Sequence, residues 1–479
     1  MYRKKIHLHC MGIGGIGMSG IAKILRLQGY QVSGCDADVS QASVQELSAV
    51  GCTITQGHYQ GICLDSSIDM LVFSSAIKQD HPELVAARAR GIPVVPRALM
   101  LAELMRTKFG IAIAGAHGKT TTTSMVSHIL IQAGLNPTVI IGGRVRNLST
   151  NAQMGNGDFL VAEADESDRS LLYLHATLAI ITNIDREHMD TYANLDDIKM
   201  TFKQFLNNLP FYGKAILCTD DPVVRSLLPL AHVPTITYSL ADDADIYATD
   251  MQLNANDSTF VVHYKGQALG RLQIFMPGRH NILNALAATA LALELEVPFT
   301  AIAHALATFS GVERRFSYHG IYRAAELFDD YGHHPKEIFN TLLVARKRAQ
   351  GKLHVIFQPQ RYTRTYHLWE DFVTTFATSD IDSLTITDIY TASEQPIDGI
   401  TGERLLHAIA SYTPKFPCYY VPYQPDMHSL IQQIDTLIAP GDLVLLLGAG
   451  KMHTIAEKLV QEPRETRPVD KENAANAGQ

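Results

Sequence analysis

Residues 109–123 read FGIAIAGAHGKTTTT. An apolar run, Phe109 to Ala114, leads into a glycine turn and then into a helical pattern, the sequence form of one strand–turn–helix unit of a parallel α/β sheet. A triphosphate needs converging backbone N–H groups, glycines that let the backbone approach, a cation, and a hydroxyl for Mg²⁺. The stretch supplies all four. Gly115 and Gly118 shape the loop around Ala116 and His117, and Lys119 reaches for the β- and γ-phosphates. Thr120 offers its oxygen to the metal, and Thr121 follows it on the first helical turn. Strict phosphate-loop spacing would put glycine where Ile113 stands, so this loop is a shorter relative of the usual form. A plain helix start, with Thr120 to Thr123 only capping, is the alternative; the preceding strand and the GKT core favour phosphate.

The pattern recurs on both sides. Upstream, Ile6 to Cys10 runs into GIGGIGMSG at residues 12–20, after which Met18, Ile21, Ala22 and Leu25 share a helical face and Gly29 ends it. Downstream, strands are expected at Asp158–Ala162, Thr177–Ile184 and Lys214–Cys218, giving a central sheet of six to seven strands. A long helical pattern follows from Asn281 to Leu295. A third segment carries KLHVIF at 352–357 and DLVLLLGAG at 442–450. The reading is therefore α/β throughout, with three domains: Rossmann-like over 1–107, a P-loop-type ATPase over 108–316, and Rossmann-like again over 317–461. The polar end, 462–479, has nothing to bury and is expected to be disordered.

Carboxylates at the carboxyl ends of strands in such a sheet face the nucleotide crevice. FLVAEADESD places Glu163, Asp165, Glu166 and Asp168 there, and acids this dense call for a cation or solvent to neutralise them, a metal role being favoured over a solvated loop. Glu163 is the ligand of choice. The next strand ends in DREHMD, so His188 reads either as an ordinary structural histidine or, from its place on the same sheet edge, as a ligand for a second metal.

A chain of 479 residues suits two to four domains, and 46% hydrophobic with 18% charged residues excludes a disordered or fibrous protein. The formal charge of −8 provides no basic field for nucleic acid or an anionic membrane. Small molecules are the expected partners. The six cysteines are scattered without a C-x-x-C pair, as in a reducing compartment, and neither an export signal nor the ~18 uninterrupted apolar residues of a membrane helix is found. A cytoplasmic protein is expected.

Taken together, GIGGIGMSG, GAHGKTTTT, EADESD, TNIDREHMD, NLPFYG, PGRHN, RRF, DDYGHHP and RYTRT resemble the Mur ligases of bacterial cell-wall synthesis over nearly the whole chain. The resemblance implies an N-terminal domain for a UDP-sugar, a central ATPase and a C-terminal domain that delivers an amino acid. It implies ATP and Mg²⁺ as cofactors, UDP-N-acetylmuramate and L-alanine as partners, and a monomer or weak homodimer. It also assigns roles: Lys119 and Thr120 to phosphates and metal, Glu163 and His188 to two metals, Asn281 to the adenine, and Arg315 and Asp330 to the nucleotide. His334, Arg361 and Arg364 would position L-alanine and the acyl phosphate. Gly12, Gly14, Gly15, Gly17, Met18, Ser19, Ser74 and Ser75 would form the sugar-nucleotide side.

Each role has a plainer alternative. Asn281 and Asn284, three apart on one helix face, can simply cap it. Arg361 and Arg364 can be surface charges, although their planar forks suit carboxylate or phosphate. DDYGHHP looks like a zinc cluster, but adjacent histidines do not share a helix face. Ala116, Arg186-Glu187 and GAGKMHTI depart from the family pattern, and neither Lys199 nor Lys203 is assigned as a carbamylated metal-holding lysine. Three rivals remain: a branch that adds a preformed peptide to the same sugar nucleotide, an NAD-dependent dehydrogenase suggested by GIGGIG with Asp36, and a regulatory or transport ATPase. Ser167 and GIGGIG favour the alanine-adding branch, the dinucleotide fingerprint is a weak signal by itself, and a regulatory or transport ATPase would need neither a UDP-sugar domain nor DDYGHHP.

Overall fold

The computed structural model describes residues 6–58, 61, 67–145 and 150–461; the expected tail beyond 461 lies outside them. The chain forms three sheets distributed over two compact units, Met1–Glu313 and Arg314–Gln479.

In the first unit, β1 (His7–Met11), β2 (Gln31–Asp36), β3 (Thr53–Gln56), β4 (Met70–Phe73) and β5 (Val94–Pro96) pair in parallel in the order β3-β2-β1-β4-β5. Central β1 is buried at all five positions, as expected of a parallel strand covered on both faces. Two of those positions are histidines. His7 and His9 share the Ser33 hydroxyl at 2.7 and 2.8 Å, which gives each buried ring a polar partner inside the sheet. Strand order reverses at β1, and the crevice at that switch point is where GIGGIG turns into the helix Ile16–Leu27.

The second sheet has ten strands: β6 (Phe109–Ala114), β7 (Thr138–Val145), β8 (Thr150–Gln153), β9 (Phe159–Glu163), β10 (Ala176–Ile181), β11 (Lys214–Cys218), β12 (Thr235–Ser239), β13 (Ile246–Leu253), β14 (Ser258–Tyr264) and β15 (Gln267–Ile274). Their order is β15-β14-β13-β12-β11-β10-β6-β9-β7-β8. The run from β13 to β7 is parallel and contains the four strands that the sequence pattern placed, β6, β9, β10 and β11, while β8, β14 and β15 are added through antiparallel pairings. The β14–β15 hairpin turns at Lys265 (φ 49°) and Gly266 (φ 79°), the two successive positive φ values of a tight primed turn. Its first strand alternates buried and partly exposed positions and its second is exposed or partly exposed over most of its length, so both lack the continuous apolar run that marks a parallel strand.

The helices Lys119–Gln132 and Arg279–Glu294 pack on each other, and the first is buried from Thr121 through Leu130. The helix Ile16–Leu27 crosses onto the second sheet. Gly20 leaves room for Ala152 and Ile140, Lys23 donates to Thr150 (2.8 Å), and Asn151 donates to the Ile16 carbonyl (2.6 Å) and the Ser19 hydroxyl (3.0 Å). These contacts join the first two sheets into one unit.

The second unit holds β16 (Ser317–Tyr322), β17 (Ala325–Asp330), β18 (Leu353–Phe357), β19 (Ser383–Ile386), β20 (Cys418–Tyr420) and β21 (Leu443–Leu447), ordered β16-β17-β21-β18-β19-β20. Only β16 is antiparallel. The last strand, LVLLL, lies in the middle and is buried throughout. Among the described residues no helix is long and apolar enough to cross a membrane.

Candidate active site

The loop after β6 is held by the end of β10. Ala116 N–H donates to the Asn183 carbonyl (3.0 Å), His117 N–H to Asn183 Oδ1 (2.8 Å), and the Thr182 hydroxyl and Asn183 amide both donate to the His117 carbonyl (2.7 and 2.9 Å). Gly115 (φ 136°) sits so close to Thr182 that a Cβ would overlap its hydroxyl, and at Gly118 (φ 80°) a Cβ would lie 2.6 Å from Asn284 Oδ1. The loop therefore needs both glycines for conformation and for space. Gly118 caps the helix Lys119–Gln132 without a side-chain bond. The first N–H groups of that helix, with its positive dipole end, face the crevice as an anion cradle.

Lys119 turns inward. Its ammonium lies 2.5 Å from the Gly115 carbonyl, 3.1 Å from that of Ala116 and 2.8 Å from Glu166 Oε1. Burial pushes this lysine down, but Glu166 more than offsets it and holds the ammonium charged. Burial pushes the Glu166 carboxyl up to about 7 against the pull of Lys119, with Asp165 and Glu187 adding repulsion. Its second oxygen, Oε2, is buried with no hydrogen-bond partner among the described residues. The Thr120 hydroxyl reaches Glu163 Oε2 (3.3 Å), while Glu163 Oε1 accepts from Gly142 N–H (2.8 Å). His188, at a positive φ of 53°, points Nε2 at Glu166 (3.7 Å) and Glu187 (3.6 Å).

These donors fit divalent cations. Thr120 and Glu163 offer hard oxygens beside the loop. Glu166, Glu187 and His188 bring one ligand atom each within 4.8 Å of one another, and the orphaned Glu166 oxygen is what a cation would satisfy.

The sugar-nucleotide candidates converge on a cavity of about 340 Å³ that also reaches Lys119, Glu163 and Asp165. Gly15, Gly17, Met18, Ser74 and Ser75 line it. Gly12 (φ 70°) approaches Ser74 to 3.0 Å at its Cβ position. Gly14 N–H donates to Asp36 Oδ2 (2.8 Å), and Asp36 Oδ1 accepts from Asp38 N–H (3.1 Å). The acid of the dinucleotide fingerprint is thus spent on its own loop. Ser19 is buried with its hydroxyl on the Ile16 carbonyl (3.0 Å), which makes it a support of the loop.

Asn281 donates to the Pro277 carbonyl (2.8 Å) and accepts from Asn284 (3.3 Å), which accepts in turn from Thr122 (3.1 Å). The pair ties the start of one helix to the start of the phosphate-loop helix, while the N-cap of its own helix, Gly278, takes no side-chain bond.

The remaining candidates lie in the second unit. Asp330 accepts from Phe316 N–H and Gly332 N–H at 2.7 Å each, and burial pushes its carboxyl up to about 6. Arg315 lies 3.7 Å from Glu337 and over the Tyr331 ring. His334 caps the helix Pro335–Arg348, taking the Lys336 N–H at 3.3 Å. Arg361 (φ 68°) pairs with Glu394 at 2.5 Å, which also binds Thr363, and buried Arg364 donates to Gln360 Oε1 (2.5 Å). Neither arginine is a loose surface charge.

Sequence reasoning passed over Thr182 and Asn183, although both stand in TNIDREHMD, and ranked Glu166 behind Glu163. It gave no role to Arg97, 3.1 Å from Asp165, which belongs to no quoted motif.

Comparison with known proteins was made against this geometry. Residues 7–109 match the model "Mur ligase family, catalytic domain", 113–292 the "Mur ligase middle domain" and 314–450 the "Mur ligase, glutamate ligase domain". The UDP-N-acetylmuramate–L-alanine ligase of Geobacter sp. (strain M21) is 48% identical over 96% of this chain and 98% of its own. That of Geobacter sulfurreducens is 47% identical over 98% and 100%. Among solved structures, UDP-N-acetylmuramate-alanine ligase from Thermotoga maritima superimposes with a TM-score of 0.77 at 26% identity, covering 95% of this chain and 98% of that one. A murein peptide ligase from Psychrobacter arcticus gives 0.71 at 24% identity, a likeness of fold, over 95% and 98%.

Proposed function

The chain belongs to the Mur ligase family, and from that premise we propose that it joins L-alanine to the lactyl carboxylate of UDP-N-acetylmuramate at the expense of ATP, in peptidoglycan precursor synthesis. The observation that carries this reading is a cavity that runs unbroken from the glycine loop of the first sheet to Lys119 and Glu163 of the second, so that a sugar nucleotide and a triphosphate can meet in it.

A carboxylate and an amine do not form an amide in water until the carboxylate gains a leaving group, and a phosphoryl group provides one. The attack of one anion on another requires that charge be offset, and Lys119 is the fixed cation at the loop. Mg²⁺ held by Thr120 and Glu163, and by Glu166, Glu187 and His188, would screen the phosphates during transfer. Thr182 and Asn183 keep the loop in register for the incoming phosphates. In the second unit Arg361 and Arg364 are assigned to the amino acid and the acyl phosphate, and Arg315 and Asp330 to the nucleotide. His334 completes that set. Three functional domains, 1–107, 108–316 and 317–461, act in a cytoplasmic enzyme that works as a monomer or weak homodimer.

The test is phosphate release from ATP with UDP-N-acetylmuramate, with and without an amino acceptor. Release that depends on L-alanine is the expected result. Release that ignores L-alanine and responds to the tripeptide L-Ala-γ-D-Glu-meso-diaminopimelate would assign the chain to the peptide-adding branch. Bound NAD with no phosphate release would restore the dehydrogenase, which the engagement of Asp36 with Gly14 argues against.

A further inference from the structure

Arg97 opens the helix Arg97–Met105 directly after β5, and its side chain is about four-fifths buried in the cavity that joins the glycine loop to Lys119. It is the one basic residue lining the N-terminal side of that cavity among the described residues. Its guanidinium lies over the start of the helix Ile16–Leu27, so close to Gly17 that a Cβ there would overlap Nη1. The last glycine of GIGGIG is thereby explained: it makes room for a cation above a helix N-terminus that carries no side-chain cap. Two positive features, helix dipole and guanidinium, thus converge beside Ser74.

An anion already answers them. Arg97 Nη2 meets Asp165 Oδ2 at 3.1 Å, 68 positions along the chain, and Asp165 also accepts from Ser167 N–H (3.0 Å). Both carboxylate and guanidinium line the cavity. An entering anion and Asp165 therefore compete for one guanidinium.

We propose that Arg97 receives the diphosphate of the sugar nucleotide and that Asp165 occupies it until then, so that filling the glycine-loop crevice frees a carboxylate beside Lys119. This rests on the sugar-nucleotide reading above. It makes Arg97 a substrate-binding residue and Asp165 a link between the two substrate sites, since Asp165 lines the same cavity as both Arg97 and Lys119. Linkage is reciprocal: whatever the diphosphate gains by displacing Asp165 is returned as a changed field at the phosphate loop.

Calorimetric titration of the full chain with UDP and, separately, with uridine tests this, ADP binding serving as the check that each variant is folded. The wild-type chain binds UDP more tightly than uridine. Arg97→Gln weakens UDP about tenfold to a hundredfold, the worth of a charge-assisted bidentate contact, while uridine binding is unchanged. Arg97→Lys recovers part of the loss. Asp165→Asn tightens UDP about two- to fivefold by removing a half-exposed competitor. Equal UDP binding by wild type and Arg97→Gln overturns the proposal, as does a loss that falls equally on UDP and uridine. UDP binding that is unchanged or weaker in Asp165→Asn overturns the competition. A wild-type chain that binds neither UDP nor uridine removes the sugar-nucleotide reading itself, an outcome distinct from failure of the Arg97 variants alone.

Discussion

The acidic crevice of the first unit and the arginine-rich set of the second are both built from ionisable side chains, yet they are left in different states. Around Lys119, one carboxylate oxygen of Glu166 is buried and unsatisfied, three carboxylates stand near one another, and an open cavity adjoins them. In the second unit Asp330 is saturated by two backbone N–H groups, Arg361 is held by Glu394, and Arg364 by Gln360. Charge left uncompensated marks where ligands bring the missing charge. Side chains anchored by partners within the fold have their orientation set before substrate arrives.

The comparison breaks most visibly at Lys119. Lys119→Ala is expected to lower kcat by a factor on the order of 10³, as loss of a transition-state cation does, while leaving the thermal midpoint within a few degrees of wild type. Near-normal turnover would show that the first region is not the reaction centre. Gly118→Ala comes next. It puts a side chain at φ 80° and 2.6 Å from Asn284 Oδ1, and is expected to cost about 2 kcal/mol by urea unfolding together with a loss of ATP-analogue binding.

The second region is sharpened by pH. Asp330 has its carboxyl pushed from 3.8 up to about 6 in the folded chain, so folding takes up a proton between those values. Its contribution is fully present below 3.8 and is lost as pH rises through 6. Asp330→Asn also leaves one backbone donor unpaired, so the variant is less stable at every pH, but its deficit shrinks by about 1 kcal/mol or more between pH 4 and 7. Denaturant midpoints at those two pH values measure it; a deficit independent of pH would deny the buried, proton-retaining carboxyl. The smallest effect is expected at Gly15→Ala, where a Cβ meets only the Gly12 carbonyl at 3.5 Å. Its stability change stays within about 0.5 kcal/mol, in contrast to Gly118.

What was legible in the sequence was what lies close together along the chain. The phosphate loop, the acid run and the glycine loop are each contiguous, and each sits on a strand–turn–helix unit whose apolar run is continuous because the strand is buried on both faces. The α/β class and the three sheets followed from that pattern. The β13–β15 meander and β8 were not anticipated, since half-buried antiparallel strands carry a weaker, alternating signal. Pairings across sequence distance were hidden for a different reason. Lys119 with Glu166, Asn183 with His117 and Arg97 with Asp165 are 47, 66 and 68 positions apart, and nothing local at either end specifies the other. At Asn281 the contacts are local ones, the Pro277 carbonyl four residues back and the neighbouring Asn284.

The central claim is that the lactyl carboxylate is activated at the loop of Lys119 by taking the γ-phosphoryl group of ATP. Labelling that carboxylate of UDP-N-acetylmuramate with ¹⁸O and analysing the inorganic phosphate by mass spectrometry tests it directly. With ATP and L-alanine present, one ¹⁸O per turnover is expected in the released phosphate, because amide formation expels the oxygen that attacked phosphorus. Amide product accompanied by unlabelled phosphate would contradict the account.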